Sequence, residues 1–335
     1  MHSLIDAKKL EGAQKIVRVC ANVQPNEKVL IITDTKTLRV GELVAMAALQ
    51  ITDNTVLAVI TPRSGHGAEP PAHVAAAMAE ADVIFMPLKF SMTHASATEE
   101  ARKRGARVLS MGDYNERMLE EGGIHADFLK IAKIVKRVAE RLMNGRIAEV
   151  SAVGGTKLRM DIAGRKGFSE TGLSHQPGDF AGPPNIEALV SPLEGSTEGI
   201  LVVDGSIPQP GLGVITDSIR ITVREGKITE IEGGGQAKVL RQVLSDFDDP
   251  WIYNIAELGI GLNPQSTITG SMMEDEGAYG TCHIGIGSNI DYEGTVKAKS
   301  HIDLIIREST IVIDGKPIQE HGELTKEMRE EEEKL

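Results

Sequence analysis

Residues 27–61 read EKVLIITDTKTLRVGELVAMAALQITDNTVLAVIT. The run EKVLIITD is short, β-branched and apolar without alternation, the pattern of a strand covered on both faces. VGELVAMAALQI follows with helical spacing, and TVLAVIT is a second buried-strand run. Strand, helix and strand in so few residues predict a βαβ unit and hence a parallel sheet. The same alternation extends outward. AQKIVRVCANV, residues 13–23, precedes it as a helix. PPAHVAAAMAEA, DVIFMPL, HASATEEARKRG and ARVLSMG continue as helix, strand, helix and strand, and the amphipathic DFLKIAKIVKRVAERLMNG closes the series at residue 145. Residues 1–146 are therefore expected to form an open, Rossmann-like α/β domain.

From residue 147 the text changes to short strands punctuated by glycine. SIRITVREGKITEIEGG, residues 218–234, has the alternation and central Gly226 of a hairpin. HIDLIIRESTIVIDGKPIQ, residues 301–319, reads as a second hairpin, and QAKVLRQVLSD as one inserted helix. Residues 147–335 are expected to form a mostly antiparallel β-rich domain that carries the chemistry. The fold class is thus α/β plus β-rich. KEMREEEEKL, residues 326–335, is a charge run expected to be a solvated helical end.

The 335 residues carry a formal net charge of −12, two cysteines and one tryptophan. An acidic surface argues against nucleic acid and anionic membranes as partners, since both are engaged through cationic surface. Two distant cysteines suit a reducing compartment, and the expected location is cytoplasmic. No apolar run reaches 18 residues, so no membrane-spanning helix is expected.

Ligand-type residues gather in the second half. Glu187 opens a strand-like run, Glu257 precedes a Gly-rich turn, and His283, His301 and Asp303 follow. In a strand His301 and Asp303 share a face, because side chains alternate with period 2. A buried Asp must be paired or ligate a metal, and imidazoles with carboxylates suit divalent Zn, Mn, Co or Fe. Cys282 beside His283 points to the opposite face, which speaks against a Cys–His nucleophile. LSHQPGDFAGPP offers His175 and Asp179 as cleft-lining or supporting groups. In SMTHASATEE, Thr93 and Ser96 are candidate helix caps beside His94, with Glu99 at capping-box spacing. A Gly/Pro loop further upstream carries Arg63, His66 and Glu69.

NIEALVSPLEGSTEGILVVDGSI, AELGIGLNP, HIGIG and SHIDLII occur in the order and style of the aminopeptidase T-like leucyl aminopeptidases, and the chain resembles that metallopeptidase family over most of residues 150–320. The resemblance implies a homodimer that removes N-terminal residues from small peptides. It also implies a pair of divalent ions (Zn, Co or Mn) held by Glu187, Glu257, His283, His301 and Asp303, with Glu187 or Glu257 shuttling the proton. Ile290 stands where the peptidases carry a Tyr; Tyr279 and Tyr292 lie nearby at other spacings. The chain's shorter length resembles a related branch, the 2,5-dihydroxypyridine dioxygenases, which open an aromatic ring with O2. There the resemblance implies one Fe(II) on two histidines and an aspartate. His301 and Asp303 match part of that set, the third ligand being a histidine near the position of Glu257, and His94 is the candidate general base. The peptidase is the first expectation, the dioxygenase the second, and a non-catalytic binding relative the third.

Overall fold

The computed structural model describes residues 2–330, with side chains described from Asp6 onward. The chain forms two compact units, Met1–Leu129 with Thr171–Pro184, and Lys130–Glu170 with Asn185–Leu335.

The first unit is built on a five-stranded sheet ordered Thr55–Ile60, Val29–Asp34, Val83–Leu88, Arg107–Gly112 and Phe180–Ala181. Every neighbouring pair is parallel. Val29–Asp34, Val83–Leu88 and Arg107–Gly112 are buried at every position, as their unbroken apolar runs require. Leu30, Ile32, Ile84, Met86 and Val108 pack with Val74 and Met78 in one core. The order reverses around Val29–Asp34, and Asp34 ties the strand ends together there. Its carboxylate accepts the backbone N–H of Lys36 (2.8 Å), Thr37 (3.3 Å) and Lys89 (2.7 Å). The fifth strand was not expected: it is two residues long and lies in a Gly/Pro-rich passage that reads as loop.

The second unit holds two large antiparallel sheets and a two-stranded antiparallel ribbon, Ser206–Ile207 with Gly213–Val214. The larger runs Lys227–Glu232, Ile219–Arg224, Glu198–Val203, Lys157–Asp161, Ile147–Ser151, Thr310–Ile313, Lys316–Glu320 and Glu323–Leu324. The smaller runs His301–Ile306, Cys282–Gly287, Ile255–Gly261, Glu187–Val190 and Gly167–Glu170. The expected hairpin at 218–234 is present, with Glu225 and Gly226 both at positive φ (48° and 69°) in the turn.

Two expectations are corrected. The units divide at 129/130 and not at 146/147, and residues 171–184 return to the first unit. Helix Phe128–Met143 packs from its third residue within the second unit. Gly167 lies so close to it that an added Cβ would stand 2.0 Å from the Ala139 carbonyl oxygen, and Arg141 donates to the Ile313 carbonyl at 2.8 Å. The second hairpin spans Thr310–Ile313 and Lys316–Glu320, whereas His301–Ile306 belongs to the other sheet. Of the charged tail, Lys326–Arg329 forms one helical turn, and residues 331–335 lie outside the described residues. No helix among the described residues is long and apolar enough to cross a membrane.

Asp34→Ala would remove the acceptor of three backbone N–H groups, that of buried Thr37 among them. It is expected to cost about 2–4 kcal/mol of stability, read as a lower urea midpoint by circular dichroism.

Candidate metal centre

The smaller sheet of the second unit separates core from chemistry by strand alternation alone. Ala256, Leu258 and Ile260 point to one face with Cys282, Ile284, Ile286, Ile302, Leu304 and Ile306, and all are buried. The other face carries Glu257, His283, His301 and Asp303 interleaved with glycine. Registered rows run Glu257–Gly285–Asp303, Gly259–His283 and Gly287–His301, and Gly261–Glu187–Glu170. The glycines make the room. A Cβ on Gly259 would lie 2.0 Å from His283 Nε2, and one on Gly285 would lie 2.6 Å from His301 Nε2. This accounts for the spacing of AELGIG and HIGIG.

His301 Nδ1 lies 2.7 Å from the Ser288 carbonyl, which only accepts, so Nδ1 carries a proton. Nε2 is thereby turned toward Glu257 Oε2 at 3.1 Å and Asp303 Oδ1 at 3.0 Å. His283 Nε2 lies 3.1 Å from Glu187 Oε2, 3.3 Å from Glu257 Oε1 and 4.0 Å from Asp303 Oδ1. Glu257 therefore presents one oxygen to each histidine. Asn185 donates to Glu187 Oε1 at 2.7 Å, and Glu187 Oε2 is buried without a hydrogen bond.

Electrostatics show how much positive charge this place demands. Burial opposes charging of His283, but Glu187, Glu257 and Asp303 outweigh it and hold its pKa well above the ordinary value. His301 is raised likewise by Asp303 and Glu257 against burial. Asp303 is pulled below the usual carboxylate range, since the histidines overcome burial. Burial, with Glu187 and Glu257, pushes Glu170 up to about 8. Burial, with Asp303 and Glu187, also raises Glu276 well above its usual value. Without extra protons, an imidazole lone pair faces two carboxylate oxygens in a dry site; a divalent cation resolves that conflict. Two donor sets have atoms that converge within 4.8 Å: Glu187, Glu257 and His283, and Glu257, His301 and Asp303. Imidazole and carboxylate donors fit a first-row divalent metal.

All five residues expected to ligate metal thus meet on one face. Glu170, Glu276 and Asn185 join them and were missed in the sequence. Glu170 becomes visible only through its register opposite Glu187. The remaining candidates lie in the first unit. His94 is exposed, on the turn before helix Ser96–Lys103. The cap of that helix is not Thr93 or Ser96: Ala95 is the N-cap, and Glu69 accepts the N–H of Ser96 (2.6 Å) and Ala97 (3.2 Å). Thr93 instead donates to Ser110 at 3.0 Å. His175 Nε2 bonds the Val19 carbonyl at 2.7 Å, and Asp179 accepts the N–H of His175 (3.0 Å) and Gln176 (2.7 Å). These bonds hold the loop within its own unit. Cys282 faces the core, where burial pushes its thiol up to about 11.

Comparison with known proteins bears on the chemistry. A family model described as 2,5-dihydroxypyridine 5,6-dioxygenase matches residues 10–326. The 2,5-dihydroxypyridine 5,6-dioxygenase of Pseudomonas putida KT2440 is 28% identical over 246 residues, covering 70% of this chain and 68% of that protein. A solved structure of 2,5-dihydroxypyridine dioxygenase from the same organism superposes with a TM-score of 0.83 at 21% identity, covering 97% of this chain and 99% of that one. Wild-type AmpT from Thermus thermophilus superposes with a TM-score of 0.68 at 15% identity, covering 95% and 99%. These last two likenesses establish the fold alone. The aminopeptidase expectation is therefore corrected: the motifs that suggested a hydrolase report a shared fold, while the family match over nearly the whole chain points to an oxygenase. The chain belongs to the 2,5-dihydroxypyridine 5,6-dioxygenase family.

Proposed function

We propose that the protein binds iron(II) on the smaller sheet of its second unit and opens the ring of a dihydroxylated pyridine with O2. The observation that carries this reading is the convergence of His301, Asp303 and Glu257 on one point, with His301 Nε2 left facing it by the Ser288 bond. Family membership and the named activity of the Pseudomonas relative support the substrate class.

His301, Asp303 and Glu257 would hold the ion, with His283 and Glu187 adjoining through the other oxygen of Glu257. This set is richer in carboxylate than the two-histidine, one-aspartate triad implied by the resemblance, because Glu257 stands where that triad would place a histidine. When bound, iron(II) supplies the one-electron steps that let ground-state O2 react with an aromatic ring. The protein's own groups do the rest. Asn185 fixes Glu187, and the Ser288 carbonyl fixes the tautomer of His301. Glu170, pushed up to about 8, keeps its proton near neutrality.

The decisive measurement is O2 uptake by anaerobically purified, iron-loaded protein given 2,5-dihydroxypyridine, with metal counted by mass spectrometry. Bound iron and one O2 consumed per substrate are expected; iron-loaded protein that consumes no O2 would sink the proposal. Gly259→Ala should weaken metal binding at least tenfold while leaving the circular dichroism spectrum intact, because its methyl occupies the place of His283 Nε2. A pH series gives an independent check. The two histidines have raised pKa values in the folded state, so their contribution to stability is full below the ordinary imidazole pKa of about 6.5 and is lost as pH rises through the elevated values. The chelated protein should therefore melt at falling temperature from about pH 6.5 upward, and added metal should restore it.

A further inference from the structure

The donor side chains are unequally covered. His283 and Glu257 are each 1% exposed, Glu187 4% and Asp303 8%, whereas His301 is 23% exposed. The centre therefore opens toward solvent at His301. Two aromatic rings stand there. Tyr292 meets His301 edge-on, with centroids 5.5 Å apart and planes at 71°. Phe168 meets Tyr292 in the same way at 5.9 Å and 69°, and the Lys166 ammonium lies 4.7 Å from the Phe168 centroid. The phenol feels the charges of Glu257, Glu170, Asp303 and Glu187, and no described residue hydrogen-bonds it.

The segment that presents Tyr292 is built to hold it still. Asn289 donates to Ser191 Oγ at 3.0 Å and to Glu194 Oε1 at 2.9 Å, and the Thr295 N–H donates to the same Glu194 oxygen at 2.8 Å. Arg165 pairs with Glu194 and donates to the Glu293 carbonyl at 3.0 Å, and Lys166 reaches Glu293 Oε1 at 3.1 Å. Gly294 is required, since a Cβ there would fall 2.0 Å from Asn289 Cγ. So many fixed contacts on an irregular turn locate a side chain rather than merely connect two strands.

We infer that Tyr292 is a substrate-positioning residue of the proposed reaction: its ring forms the wall against which a planar heteroaromatic substrate lies, and its phenol donates a hydrogen bond to a ring oxygen of that substrate. The chemistry of the opening supports this. Around the phenol, the carboxylates of Glu257 and Asp303 offer acceptors, and the Asn185 amide is committed to Glu187. A hydroxypyridine oxygen, more so when deprotonated, needs a donor, and the phenol beside His301 offers one. The rings of Tyr292 and Phe168 supply the apolar contact that an aromatic substrate favours.

This inference rests on the proposed function, and the test separates the two. Anaerobic titration of the iron-loaded protein would measure Kd for 2,5-dihydroxypyridine, 2-hydroxypyridine and 3-hydroxypyridine, in wild type and in Tyr292→Phe. The variant should bind 2,5-dihydroxypyridine about five- to tenfold more weakly, the loss of one hydrogen bond. Iron content and melting temperature should not change. For whichever monohydroxy analogue lacks the bonded oxygen, wild type and variant should bind alike. Equal affinity of the two proteins for all three ligands overturns the inference while leaving the proposed function standing. Loss of iron from Tyr292→Phe also overturns it, by showing that the residue serves the metal. Wild type that binds none of the three ligands overturns both.

Discussion

A lone pair turned toward negative charge is the constraint around which the second unit is arranged. His301 gives its one certain proton to Ser288, and its other nitrogen then meets carboxylate oxygens at 3.0 and 3.1 Å. Such an arrangement is stabilised by added positive charge, whether protons or a cation. The surroundings serve that requirement. Glycines across from each histidine leave space for imidazole rings where a methyl would collide. Glu257 divides its two oxygens between the histidines. The opposite face of the same sheet is apolar and buried, so the strands that aim the donors are held by ordinary core packing.

The two units treat acidic side chains in contrasting ways. In the first, Asp34 and Glu69 are consumed by backbone N–H groups at a sheet end and a helix start. In the second, Glu187 Oε2 has no such partner. Carboxylates satisfied by the backbone read as architecture, and carboxylates that face imidazoles with nothing between them read as chemistry.

Much of this was legible in the sequence. Parallel strands buried on both faces give unbroken apolar runs, and Val29–Asp34 and Val83–Leu88 show them plainly. Period-2 alternation placed His301 with Asp303 and set Cys282 apart from His283. What escaped depended on pairing across strands. Phe180–Ala181 is too short to carry a pattern, Glu170 is placed only by its register with Glu187, and the polar Arg307, Glu308 and Ser309 after Ile306 read as a hairpin turn although the chain changes sheets there. Tyr292 stands two residues beyond the spacing of the peptidase tyrosine, at which Ile290 is exposed. The chemistry was misordered for a different reason. Imidazole and carboxylate donors suit a hydrolytic ion and a redox-active one equally well, so ligand types on a shared fold do not by themselves choose between them.

The chain crosses between its units at 129/130, 170/171 and 184/185. Val108 and Leu109 acquire their last neighbours only when Phe180 and Ala181 have been made, and Ile147–Ser151 must wait for Thr310–Ile313. During synthesis, then, neither unit can be finished before the other has begun. The first unit must keep one edge of its sheet open while a stretch of the second emerges, and the donors of the metal centre, drawn from residues 187 to 303, come together only after Asp303 has been made. The order of assembly is therefore interleaved rather than domain by domain.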